Sequence, residues 1–145
     1  MMRGFAYPAQ FSREAKGAFT VTFPDLPEAI TSGRNLPDAI EQAADSLQEA
    51  LAGRIARKEP IPQPSRSKRG QRMIQVAFYL APKVALYLTM REKGVSNTQL
   101  ARLLGVSETV VRRLLDPQHD SKPEKLQAAL RGLGKRISVA VDDAA

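Results

Sequence analysis

Residues 18–23, AFTVTF, alternate apolar and polar positions, with Phe19, Val21 and Phe23 on one face and Thr20 and Thr22 on the other. A period of two predicts a strand with one wet face. Residues 4–11, GFAYPAQF, alternate more loosely, with Phe5 and Tyr7 sharing a face. Pro8 removes a ladder donor, which suggests an edge strand or a bulge. The polar turn SREAKGA (12–18) joins the two runs as a hairpin. PDLPE (24–28) breaks the pattern, and AITSG (29–33) returns as a short third strand.

The period then changes. Leu36, Ile40, Ala43, Leu47, Leu51 and Ile55 recur at steps of three and four, one apolar stripe of a helix. Asn35 is placed to cap it, Asp38 sits near its positive end, and Pro37 is tolerable in the first turn. Glu41, Gln42, Asp45 and Glu49 fall off the stripe. Pro60 and Pro62 end the helix by about Glu59. Residues 60–72, PIPQPSRSKRGQR, combine prolines and basic residues and predict an extended polar connector, with a basic arm on nucleic acid as the alternative. MIQVAFYL (73–80) predicts a fourth strand with Ile74, Val76, Phe78 and Leu80 inward. The fold class of this half is α+β, in the order β-β-β-α-β.

The second half reads as helices. Residues 81–94 form one, with Pro82 in its first turn, Val84, Tyr87 and Leu88 inward, and Gly94 as its stop. Residues 97–116 fit two helices around a tight turn. Ala101 is the small residue at the crossing, Gly105 the turn, and Leu100, Leu104, Val106, Val111 and Leu114 the apolar contacts. Ser107 is placed to cap the second helix, leaving Glu108, Thr109, Arg112 and Arg113 on its free face. A helix with that face suits the major groove: Ser107, Glu108 and Thr109 nearest the bases, Arg112 and Arg113 one turn on. Asn97, Thr98 and Gln99 are candidate phosphate donors, and Lys122 and Lys125 candidate backbone clamps. Ser121 and Glu124 form a Ser-x-x-Glu capping box for the next helix. RISVAV (136–141) alternates and predicts a final strand. It has no partner in a helical lobe, so pairing with a second copy through Ile137, Val139 and Val141 is the expectation. The domains expected are 1–80, including the connector, and 81–145.

Charge sharpens this division. The net charge is +7, but residues 1–52 carry −3, residues 53–72 carry +6 and residues 73–145 carry +4. An acidic lobe and a basic one point to partners of opposite character, the basic one a phosphate polyanion. There is no cysteine and a single histidine, His119, so cysteine–zinc sites are excluded and no metal or cofactor is expected. No apolar run approaches the roughly 20 residues of a membrane span, and no export signal is evident. A cytoplasmic location, without membrane partners, is the expectation.

The helix pair resembles the helix-turn-helix of XRE/Cro-like repressors, which implies a homodimer on operator double-stranded DNA. Residues 19–50 are similar to the N-terminal domain of HicB antitoxins. The shared marks are the aromatic-Thr-Val strand, FPDLP at 23–27, Ser32-Gly33, and an acidic, Ala- and Leu-rich helix from Asn35. The second half, including LLDPQHDSKPEKLQAALRGLGKRISVAV, resembles HicB proteins of the helix-turn-helix type. The resemblance implies a partial, inactive RNase H-like lobe that covers the active site of HicA. HicA is a small basic ribonuclease toxin that cleaves mRNA, in a type II toxin–antitoxin system. It further implies a C-terminal half that represses its own operon. Phe23, Asp25, Leu26, Glu28 and Ser32 are the expected toxin contacts, with core packing an equal account of Phe23 and Leu26. Glu28 departs from the glycine usual after FPDLP.

Two other classes compete. A metal-dependent nuclease needs converging carboxylates. Asp25, Asp38, Glu41 and Asp45 are candidates by type, but runs 5–11 and 18–23 contain no Asp or Glu, so no enzyme is expected. A free-standing transcription regulator with a ligand-binding first lobe is the other alternative.

Overall fold

The computed structural model describes residues 5–143. Gly4, where the sequence pattern starts the first strand, and the outer ends of both expected domains lie outside the described residues. Contacts divide the chain at Ala81/Pro82.

The first unit contains β1 (Ala6–Arg13), a single 3-10 turn (Ala15–Gly17), β2 (Phe19–Thr22), β3 (Ile30–Gly33), α1 (Leu36–Ala56) and β4 (Gln71–Gln75). The four strands form one antiparallel sheet in the order β3-β2-β1-β4. Register places Phe11 opposite Val21, Val21 opposite Thr31, and Tyr7 opposite Ile74. Asn35 caps α1 as the sequence implies, its side chain accepting from the Asp38 amide at 2.9 Å. α1 packs on the sheet through Ala39, Ala43, Leu47, Ala50, Leu51 and Ile55, all buried. Val21, Phe23, Leu26, Ile74, Val76 and Leu80 complete this core. Each such large apolar side chain contributes about 1.5–3 kcal/mol when removed from water.

Pro8 does not lie on an edge strand, because β1 sits between β2 and β4. The physical reason survives in another form. β1 pairs β4 over Ala6–Gln10 and β2 over Gln10–Arg13, so the two ladders share only Gln10. The Phe5 carbonyl accepts from Val76, so by alternation the Pro8 nitrogen faces away from β4, where no ladder has begun. The fourth strand is shorter than its apolar run. After Val76 the Ala77 amide donates to Gln48 Oε1 of α1 at 2.9 Å. The chain turns, Leu80 donating to Ala77, and Phe78 is 76% exposed rather than inward.

The connector is not a bare polar spacer. Ile61 is buried, and three polar ties hold the segment down. The Tyr7 hydroxyl donates to Pro62 O (2.7 Å), Arg54 Nη1 donates to Pro60 O (2.8 Å), and Asp25 accepts from the amide and hydroxyl of Ser65. Burial pushes the Tyr7 phenol up to about 12, with Asp25 adding and Arg54 opposing, so it remains a neutral donor.

The second unit is helical: α2 (Ala81–Lys93), α3 (Asn97–Leu104), α4 (Glu108–Leu115) and α5 (Pro123–Gly132). Leu86, Met90, Leu100, Val111, Leu114, Leu126 and Leu130 form its core. Leu88, expected inward, is only partly buried; Leu86 and Met90 take that face. Residues 136–141 adopt no regular structure within the single chain, and the partner expected of that strand is a second copy. Among the described residues this unit has no strand to pair with. Ile137 packs against the helical core, while Val139 and Val141 are exposed, the latter at 94%.

Candidate functional site

The helix pair is fixed by three local devices. Ser96 caps α3 in a reciprocal box: its hydroxyl accepts from the Gln99 amide (3.1 Å) and its own amide donates to Gln99 Oε1 (2.8 Å). The Ser-x-x-Gln spacing signals this cap, which sequence reading missed. Gly105 ends α3 in the left-handed region at φ 67, a conformation glycine adopts without a Cβ clash. Ser107 then caps α4, accepting from the Val110 amide at 3.3 Å. Leu100, Ala101, Val111 and Leu114 are buried at the crossing as expected, and Leu104 is partly buried. Val106 is exposed instead, since the turn carries it outward.

Of the candidate DNA residues, Thr98, Gln99, Ser107, Glu108, Thr109, Arg112, Arg113, Lys122 and Lys125 are exposed, and Asn97 is partly buried. Two pairs are already organised. The Thr98 hydroxyl donates to Glu108 Oε1 at 2.6 Å, tying the start of α3 to the start of α4. Arg112 Nη2 donates to the Thr109 hydroxyl at 3.0 Å, which lays that guanidinium along the α4 face. The Thr98 hydroxyl proton is therefore used by Glu108 and not offered to a phosphate.

Ser121 does not cap α5, which starts at Pro123 with Lys122 in the cap position and no side-chain cap bond. Its hydroxyl is taken by a longer-range contact. Lys83 of α2, only 2% exposed, donates from Nζ to Arg113 O (3.0 Å), Leu114 O (3.0 Å) and Ser121 Oγ (2.8 Å). The ammonium thus satisfies carbonyls at the C-terminal end of α4, where a helix leaves acceptors unpaired and favours a cation. Burial lowers the Lys83 pKa, and Asp116 and Asp120 oppose that. No local spacing signals this role, because the partners lie 30 to 38 residues away.

In the first unit, the expected contact residues separate into two groups. Phe23 and Leu26 are in the core, 1% and 0% exposed, so they support the 23–29 loop from beneath and offer no surface. Asp25 is partly buried and holds Ser65. Glu28 is on the rim, bound by Arg54 through both oxygens at 2.7 and 2.9 Å, which draws its carboxyl down to about 2. The non-glycine residue after FPDLP therefore fastens the loop to α1. Ser32 is exposed on β3, at the rim of a shallow cleft of about 450 Å³ lined also by Glu14, Phe19, Arg34, Asp38 and Gln42. Glu41, Asp45 and Glu49, four apart on α1, are exposed in a row.

Among the described residues, no three Asp, Glu or His side chains are grouped to hold a metal ion, and no helix is long and apolar enough to cross a membrane. His119 Nδ1 lies 3.1 Å from Ser121 Oγ and exposes its ring to solvent.

Residues 6–85 match the family described as the HicB_like antitoxin of a bacterial toxin-antitoxin system. This chain belongs to the HicB-like antitoxin family. It is 34% identical to Antitoxin HicB 2 of Photorhabdus laumondii subsp. laumondii over 139 residues, 96% of this chain and 98% of that protein. It is 32% identical to Antitoxin HicB of Escherichia coli K12 over 133 residues, 92% of this chain and 96% of that one. With Antitoxin HicB of Pseudomonas fluorescens the identity is 33% over 147 residues, 99% and 100% of the two chains. The matched family region takes in the whole sheet, α1 and the tied connector, so the HicB signature is the first unit. The antitoxin relatives align through the helical unit as well. A HicB antitoxin implies a toxin as partner.

Proposed function

We propose that this HicB-like antitoxin neutralises a HicA-type mRNA-cleaving ribonuclease with its first unit, and represses its own operon with its second. In this reading the first unit is a partial RNase H-like lobe. The second is an XRE/Cro-like helix-turn-helix that acts as a homodimer on operator DNA. The observation that carries the DNA half is the α4 face. A helix capped by Ser107, entered from a left-handed Gly105, exposes Glu108, Thr109, Arg112 and Arg113 together. Thr109 and Arg113 are of the types that read base edges, and Glu108 accepts from a cytosine amino group. Lys122 and Lys125 are exposed cations for the backbone. Self-association uses Ile137, Val139 and Val141. Val139 and Val141 are exposed and gain a partner if the tail pairs with its copy.

The toxin half rests on family membership and charge. The exposed α1 row of Glu41, Asp45 and Glu49 suits a basic ribonuclease, with Asp25, Glu28 and Ser32 at the adjoining loop and strand. Co-purification with the product of the adjoining reading frame tests it directly. Recovery of a metabolic enzyme's operon there instead of a small basic protein favours the free-standing regulator.

Two outcomes are expected. Arg112→Ala with Arg113→Ala weakens operator binding at least tenfold and flattens its salt dependence, read in a gel-shift titration; unchanged affinity removes α4 from the interface. Separately, residues 1–80 alone protect cells from the toxin but leave a promoter reporter unrepressed. Loss of protection shows that toxin neutralisation needs the second unit.

A further inference from the structure

Among the described residues, the arginines of the first unit outside residues 66–72 are all engaged. Arg34 pairs with Asp38, Arg54 with Glu28 and Arg57 with Glu59, while Arg13 stacks over the Phe19 ring with its guanidinium 5.7 Å from the centroid. Arg66, Lys68, Arg69 and Arg72 are all exposed, and among the described residues none has a carboxylate or a ring as partner. They fall within seven residues, in the segment that carries +6 while residues 1–52 carry −3. Acidic groups are abundant in this unit, yet among the described residues none is paired with these four.

The backbone that bears them is nonetheless held. Ser65 is bound twice by Asp25, once at 2.9 Å from its amide. The Lys68 amide donates to Gln71 Oε1 (2.8 Å), and the Gln71 amide returns to Lys68 O (3.0 Å), closing a turn. Gly70 takes φ 84 within that turn, and its carbonyl receives Gln10 Nε2 at 3.4 Å. Arg72 then enters β4 opposite Ala9. Ordering long cations costs side-chain and backbone entropy, and a merely solubilising tail needs none of it. A fixed turn with unpaired cations on both flanks suits a regularly spaced polyanion.

We propose that Arg66, Lys68, Arg69 and Arg72 form a second phosphate-backbone contact for duplex DNA, on the sheet unit and separate from the α4 face. The contact is independent of base sequence. It deepens the proposed operator binding and rests on that reading. Duplex DNA is chosen over RNA because the same chain offers a second DNA surface, and tethering the two raises the effective concentration of each.

The test uses the full chain and fluorescent duplexes, one of random sequence and one from its own promoter, titrated between about 50 and 200 mM salt. The variant Arg66→Ala/Lys68→Ala/Arg69→Ala/Arg72→Ala is compared with wild type and with Arg112→Ala/Arg113→Ala. Four phosphate contacts predict a log–log salt slope shallower by about 3.6 per chain, and about a hundredfold smaller loss of affinity across that range. Preference for the promoter over the random duplex persists in the loop variant and falls in the α4 variant. Arg66→Lys/Arg69→Lys/Arg72→Lys keeps the wild-type slope. A wild-type slope in the alanine variant overturns the proposal while leaving α4 as the reader. Loss of single-stranded RNA binding without loss of duplex binding overturns it in favour of RNA. If wild type binds neither duplex, operator binding itself fails and the proposal with it.

Discussion

Gly33→Ala is expected to destabilise the first unit by about 3 kcal/mol, at the severe end of overpacking. A Cβ at this position falls 2.3 Å from the Ala39 nitrogen, 2.4 Å from its Cα and 2.8 Å from its Cβ. Those atoms belong to the first turns of α1, whose amide at Ala39 is bonded to Asn35 O, so the obstacle is helix backbone and not a side chain that can rotate away. Either β3 moves off α1 or α1 moves off the sheet, and both open the core around Ala39 and Ala43. A domain of this size has only about 5–15 kcal/mol in all, so a large share is lost. Urea unfolding followed by far-ultraviolet circular dichroism reads the shift. Under the proposed function toxin binding falls with it, because Ser32 and the acidic α1 row are carried by the displaced elements. Gly132→Ala is the contrast. Its Cβ meets only the flexible ends of Leu104 (3.1 Å) and Leu103 (3.6 Å), so stability changes by less than about 1 kcal/mol. Equal effects of the two substitutions show that close approach at Gly33 is not what places glycine there.

This pair also marks where local pattern is informative. Alternation in 18–23 correctly places Val21 and Phe23 inward, and Asn35 with its apolar stripe correctly starts and faces α1, because those signals act over a few residues. The expectations that failed each depend on a distant group. Ser121 has the spacing of a cap, but its hydroxyl is engaged by Lys83, 38 residues earlier. The connector is extended and mostly exposed as its composition implies, but the ties that hold it come from Tyr7 and Asp25, 55 and 40 residues away. Phe78 continues a strand pattern, but the Ala77 amide is taken by Gln48, 29 residues earlier, and the chain turns. Residues 136–141 are a separate case: they have a strand's alternation, and the partner expected of them is a second chain. FPDLP was legible as a loop and alternation turned Phe23 inward, while the burial of Leu26 required the fold.

Lys83→Met is expected to loosen the C-terminal end of α4 more than any surface substitution in the second unit. Methionine keeps the unbranched stem inside the core and removes only the ammonium. Leu114 O then loses its Lys83 donor, Arg113 O keeps only the weaker Ser121 hydroxyl at 3.2 Å and the Asp116 amide at the same distance, and Ser121 loses its own donor. A hydrogen bond from a charged group counts for about 1.5–3 kcal/mol and an unpaired buried carbonyl costs about 1–3 kcal/mol, and relief of the lysine's desolvation offsets part of the sum. A net loss of about 2–3 kcal/mol corresponds to amide exchange in α4 about 30–150 times faster. Amides of β1 and β2 keep their protection, which localises the effect. Arg113 belongs to the same turn, so under the proposed function DNA affinity falls in this variant even where the unit stays folded, whereas toxin binding by the first unit is retained. Unaltered α4 exchange in Lys83→Met shows that the three bonds merely accommodate a buried lysine and do not hold the helix.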